Sequence, residues 1–116
     1  MKFRFQDLEV WRFALEISDQ LLDVADELEG RKLYRFSEQL RGAAMSVCNN
    51  IAEGSGSNSR REFAYFLNIA RRSAFENANI LIILNRRKLL TGPRLASLLE
   101  DLDKECRMIT SLRRSL

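Results

Sequence analysis

The cationic side chains between Arg60 and Lys88 are the part of this chain best suited to chemistry with a partner. They come in three groups, Arg60 with Arg61, Arg71 with Arg72, and Arg86 with Arg87 and Lys88. Arginine offers a planar fork of donors that matches a phosphate or a carboxylate. On a helix advancing about 100° per residue, Arg61, Arg72 and Arg86 share one side, with Asn68 and Asn79 between them. The resulting polar stripe is roughly 35 to 40 Å long at about 1.5 Å per residue, enough to track a nucleic-acid backbone. Nearby aromatic rings could stack on unpaired bases. Helical aromatics more commonly fill cores and interfaces, and Phe63 and Phe66 are read that way. A run of charge on a helix is also commonly no more than a solvated face.

Catalytic chemistry finds little support. The chain has no histidine, so acid–base or metal work would rest on carboxylates alone. Ser46, Ser73 and Cys48 stand in no nucleophile-elbow context and have no recognisable activating base. Glu53 would need a second catalytic group that its surroundings do not offer. With Asn50 it sits within one turn of Gly54 near a helix end, where polar side chains commonly satisfy backbone groups. The expectation is therefore a protein that is not an enzyme and needs no metal or cofactor.

Such a stripe needs a helical scaffold, and the composition supplies one. A chain of 116 residues suits a single domain with a sizeable core. Hydrophobic residues at 46%, charged residues at 30%, one proline and five glycines point to an all-α protein. No run of about 18 apolar residues is present to span a membrane, and the start MKFRFQDLEVWRF lacks the apolar core of a signal peptide. A cytoplasmic location is expected. Cys48 and Cys106 are the only cysteines, with no CxxC spacing, and are expected to be free buried thiols.

Charge is unevenly distributed. Residues up to Gly30 carry three basic and eight acidic side chains, a net of −5. From Arg31 to Arg94 there are twelve basic and four acidic, a net of +8, and the remainder is neutral. The basic block could form one electropositive surface, or it could pair with the acidic first helix of the same or a neighbouring subunit.

Periodicity and punctuation predict four helices, at about 7–29, 37–53, 59–88 and 93–114. Asp7 is the expected N-cap of the first and Gly30 its stop. Gly54 is placed at the C-terminal cap of the second. Ser59 and Glu62 form an S-x-x-E capping box for the third, and Pro93 suits the first turn of the fourth. The apolar arc of the first helix is roughly 220° wide, more than the stripe of about 100° that an ordinary surface helix needs. The third helix is similarly broad. Three short connections imply an up-down-up-down antiparallel bundle. Its surplus apolar surface predicts a homo-oligomer, with Val10, Phe13, Ile17 and Val24 of the first helix and Tyr65, Ile69, Phe75, Ile82 and Ile83 of the third as interface candidates.

Three segments, FQDLEVWRFA, QLRGAAMSVCNNIAEG and EFAYFLNIARRSAFE, carry a family resemblance. From about Phe5 to Arg87 the chain resembles the four-helix bundle proteins encoded in intervening sequences of bacterial 23S rRNA genes. The match is most specific at Asn50-Ile51-Ala52-Glu53-Gly54. The resemblance implies a four-helix bundle in a ring-like homopentamer, similar in fold to the accessory proteins of diversity-generating retroelements, which associate with nucleic acid and a reverse transcriptase. The chain departs from the family pattern at Cys48, where proline is common, and at Arg72, where glycine is common. The expected function is binding of RNA or single-stranded DNA through Arg60, Arg61, Arg71, Arg72, Arg86, Arg87 and Lys88. The alternative is a scaffold that docks an acidic partner protein.

Overall fold

The computed structural model describes residues 2–116, and every regular element among them is helical. A 3-10 turn at Arg4–Asp7 leads into α1 (Glu9–Gly30), α2 (Tyr34–Ser55), α3 (Arg60–Arg86) and α4 (Gly92–Arg114). The packed pairs are α1 on α2, α2 on α3, α3 on α4, and α4 back on α1, which closes a four-helix bundle. Its core is built at helical spacing from Ala14, Ile17, Leu21 and Leu28 of α1, Leu40, Ala44 and Ile51 of α2, Leu67, Ala74 and Leu81 of α3, and Leu98, Leu102 and Ile109 of α4.

The helix ends differ from the sequence-based expectation in instructive ways. Asp7 is not an N-cap. It closes the 3-10 turn, where the Phe3 N–H donates to Gln6 Oε1 at 2.8 Å and the Phe5 ring lies 4.9 Å from the ring of Trp11. The chain thus enters α1 on an aromatic cluster, and Leu8 takes the cap position without a side-chain bond. Gly30 is still helical, and Lys32 instead adopts the left-handed conformation at φ 62°. Leu33 N–H then donates to the Leu28 carbonyl at 2.9 Å and Lys32 N–H to that of Glu29 at 2.9 Å, the paired bonds of a Schellman end. α3 ends the same way, at Arg86 and not at Lys88. Lys88 sits at φ 60° and donates to the Asn85 carbonyl at 2.9 Å, while Leu89 donates to that of Leu84 at 2.8 Å.

α2 is longer than expected at both ends. Ser37 lies inside it, its hydroxyl donating to the Ala25 carbonyl of α1 at 2.9 Å. Gly54 lies inside it too, and is buried. A Cβ on Gly54 would stand 2.7 Å from Phe66 Cβ and 2.9 Å from Phe63 Cδ1. The glycine is there for close approach to α3 and not to end a helix. Ser59 caps α3 as expected, its Oγ accepting from the Glu62 N–H at 3.2 Å. Among the described residues the reciprocal bond from the Glu62 side chain is not formed.

Gly54→Ala is expected to destabilise the protein by about 1–3 kcal/mol, because α3 must shift to admit one methyl group. A urea-denaturation midpoint lowered for Gly54→Ala, and raised for Gly42→Ala, where an added Cβ meets nothing within 4 Å and alanine is the better helix former, checks this.

Candidate nucleic-acid interface

Which face α3 shows to solvent is set by how it seats on α2. Asn77 is fully buried, and its Nδ2 donates to the Ala43 carbonyl of α2 at 2.9 Å and to the Ser73 carbonyl of its own helix at 2.9 Å. The hydroxyls of Ser46 and Ser73 are 2.8 Å apart across the same seam. Asn50 extends it, its Nδ2 donating to the Ser46 carbonyl at 2.8 Å. Asn50 is therefore tied to backbone, while Glu53 is exposed.

With that side turned inward, Arg61, Arg72, Asn79 and Arg86 project from the opposite side and are exposed, and Asn68 between them is half-buried. They fall within roughly 40° of one another at about 100° per residue. Arg60, Arg87 and Lys88 are exposed at the two ends. Among the described residues none of these six cations forms an ion pair. The extra charge at Arg72 reaches outward and meets no tight helix packing.

Three of the acids of α1 are engaged elsewhere. Arg41 of α2 lies 2.6 Å from Asp26 and 3.6 Å from Glu29. Arg94 of α4 grips Glu27 with bonds of 2.9 and 2.6 Å. Hydrogen bonding from Arg94 holds the Glu27 carboxyl below its ordinary range. α1 and α3 do not pack on each other, so the acidic helix of the same chain does not neutralise the stripe.

Arg71 parts company with Arg72. Its guanidinium lies 4.8 Å over the Phe75 ring, and its Nε is buried with no hydrogen-bond partner among the described residues. It adjoins Cys106, whose thiol is pushed up by burial and drawn back by the arginine charge. Cys48 is half-buried 3.6 Å from the Ser18 hydroxyl, and burial pushes its thiol up as well. Both cysteines are free.

The interface candidates divide. Val10, Ile17 and Val24 are buried within the chain's own core and are not available to a neighbour. Phe13 is half-buried beneath the Lys104 ammonium at 4.8 Å, and Ile69 is half-buried. Tyr65 at 62% exposure, Phe75 at 57%, Ile82 and Ile83 stand open to solvent on either side of the arginine stripe.

Glu105 of α4 is a residue that the sequence pattern does not single out. It is 0% exposed, and neither carboxyl oxygen has a hydrogen-bond partner among the described residues. Ala14, Ile17, Leu21, Ala44, Val47 and Leu102 surround it, and the one adjacent hydroxyl, Ser18, donates to the Ala44 carbonyl at 3.0 Å. Burial pushes its pKa up to about 8, so the carboxyl is protonated at neutral pH. The space around it holds no water-sized void, which makes it a core residue and not a ligand site. Among the described residues no group of three or more histidine, cysteine, aspartate or glutamate side chains could hold a metal ion. No described helix is long and apolar enough to cross a membrane.

Comparison with known proteins agrees on the architecture. The sequence model of the family described as 23S rRNA-intervening sequence protein matches residues 6–111. Among solved structures, a protein of unknown function from the S23 ribosomal protein family of Bacteroides thetaiotaomicron superposes with a TM-score of 0.85 at 26% identity. The match covers 90% of this chain and 97% of that one. No curated protein matches.

The buried carboxyl makes stability depend on pH. Its folded pKa of about 8 lies above the ordinary 4.5, so the stability it permits is complete below pH 4.5 and is lost as pH rises toward 8. Glu105→Gln keeps the shape without the titration. It is expected to match the parent near pH 4 and to exceed it by roughly 3 kcal/mol at pH 7, at about 1.4 kcal/mol per unit. Denaturant unfolding at the two pH values checks this.

Proposed function

The chain belongs to the 23S rRNA-intervening sequence protein family, and from that starting point we propose that it is a non-enzymatic helical bundle that binds RNA or single-stranded DNA through α3. The observation that carries this reading is the row Arg61, Asn68, Arg72, Asn79 and Arg86, whose arginines are exposed and without carboxylate partners among the described residues. Each arginine that meets a phosphate releases condensed counterions, so affinity is electrostatic, salt-dependent and weakly sequence-specific. Arg60, Arg87 and Lys88 extend the field at the two ends of the row.

Self-association belongs to the same proposal. Short connections, at residues 31–33, 56–59 and 87–91, favour an up-down-up-down antiparallel bundle. The exposed side chains Tyr65, Ile82 and Ile83 support burial against another copy, in a ring of five as the family resemblance implies. Repeating the arginine row around a ring multiplies modest single interactions. The protein acts in the cytoplasm on this reading. A scaffold that docks an acidic protein partner is the second reading, favoured by the same apolar flanks.

Two measurements check the proposal. Arg72→Glu/Arg86→Glu is expected to weaken binding of a labelled single-stranded RNA by at least tenfold and to flatten its salt dependence, because two attractions become repulsions. Unchanged affinity, or binding indifferent to salt, counts against it. Light scattering of the purified protein is expected to give a mass several times 13.5 kDa, and a monomer would remove the ring.

A further inference from the structure

Beside the arginine row, α3 and α4 enclose a groove of about 410 Å³ whose lining combines cations, hydroxyls and one aromatic ring. We propose that this groove is a nucleotide subsite, taking one phosphate of a single strand while the unpaired base attached to it lies on Phe75. The proposal deepens the nucleic-acid reading and rests on it.

Three arginines converge here from two helices, Arg71 from α3 and Arg107 and Arg114 from α4. Arg107 and Arg114 are seven residues apart, two helical turns, so they lie on one face about 10 Å from each other. Thr110 and Ser111 lie between them and add two hydroxyl donors. Asp103 is the one acid in the lining. It stands 3.6 Å from Arg107 with both side chains largely in solvent, a spacing at which an incoming phosphate competes readily.

Arg71 gives the groove its direction. A buried N–H without an acceptor is costly, and a folded chain normally supplies a partner. The Nε of Arg71 has none among the described residues, although the side chain is braced against the Phe75 ring at 4.8 Å. That Nε is closed off from the groove, so the outer end of the guanidinium, braced on the ring, is what meets a phosphate oxygen, with little further loss of freedom. Phe75 itself is 57% exposed, and its free surface is available to a base. Stacking on such a ring tolerates any base, which suits weak sequence preference. Phe75 thereby leaves the oligomer candidates, while Tyr65, Ile69 and Ile83 lie on the flank of α3 nearer α2.

The test uses the full chain and a fluorescently labelled oligouridylate, with binding followed by anisotropy at several salt concentrations. Arg107→Gln/Arg114→Gln alters exposed side chains and leaves the core intact. It is expected to weaken binding about tenfold and to reduce the salt slope by about 0.7 for each phosphate that is no longer neutralised. Phe75→Ala is expected to weaken binding about tenfold with the salt slope unchanged, since a stacked base carries no counterions. If both variants bind as the parent does while Arg72→Glu/Arg86→Glu binds poorly, the groove assignment falls and the α3 reading stands. If the parent binds no strand, both fall. Displacement of the oligonucleotide by micromolar uridine monophosphate would assign the groove to free nucleotides and overturn the strand proposal. No displacement is expected.

Discussion

The seam between α2 and α3 is the constraint on which the outer surface depends. Gly54 lets the α2 backbone meet Phe63 and Phe66 where a single added carbon would stand under 3 Å from both. Asn77 then fixes rotation, because its amide reaches the Ala43 carbonyl only in one orientation of α3. A steric lock and a hydrogen-bond lock therefore act on the same pair of helices. Turning α3 by one residue, about 100°, would bury charged positions and leave the Asn77 amide without its partner, a cost of about 1–3 kcal/mol for that unmade bond alone. The exposure of Arg61, Arg72 and Arg86 follows from that seating.

The electrostatics build on the same geometry. α1 carries seven of the chain's sixteen acids, yet its helix neighbours are α2 and α4, and Arg41 and Arg94 meet three of those acids there. Across the bundle, α3 keeps its arginines free of carboxylates among the described residues. The split between an acidic first helix and a basic middle thus becomes a difference between opposite sides of one bundle. Surface ion pairs such as Arg94 with Glu27 add little stability. Their larger consequence is that part of the α1 acid is already engaged.

Much of this is legible in the sequence where local pattern decides. The four helices, the Ser59 cap and the arginine row all follow from period and punctuation. The helix ends are less legible, because left-handed positions are expected at glycine. The repeat Leu28-Glu-Gly-Arg-Lys-Leu33 and Leu84-Asn-Arg-Arg-Lys-Leu89 carries the signal, with a lysine at each left-handed turn and a leucine closing each end. The broad apolar arc of α1 reads in sequence as surplus for a neighbour. In the fold it meets the 3-10 turn, α2 and α4, which takes Val10, Ile17 and Val24 into the core. Glu105 also has a signal, three residues after Leu102 and four before Ile109 on the buried stripe of α4. The α3–α4 groove has none, since Arg71, Arg107 and Arg114 come together only through tertiary packing.

Photo-crosslinking to single-stranded RNA containing 4-thiouridine, with the adducts located by peptide mass spectrometry, tests the central claim most directly. The account predicts adducts concentrated between Arg60 and Lys88, on α3 and the turn that ends it, and on the adjoining face of α4 from Arg107 to Arg114. Adducts confined to α1 and α2, or none at a salt concentration where the protein is folded, would contradict it.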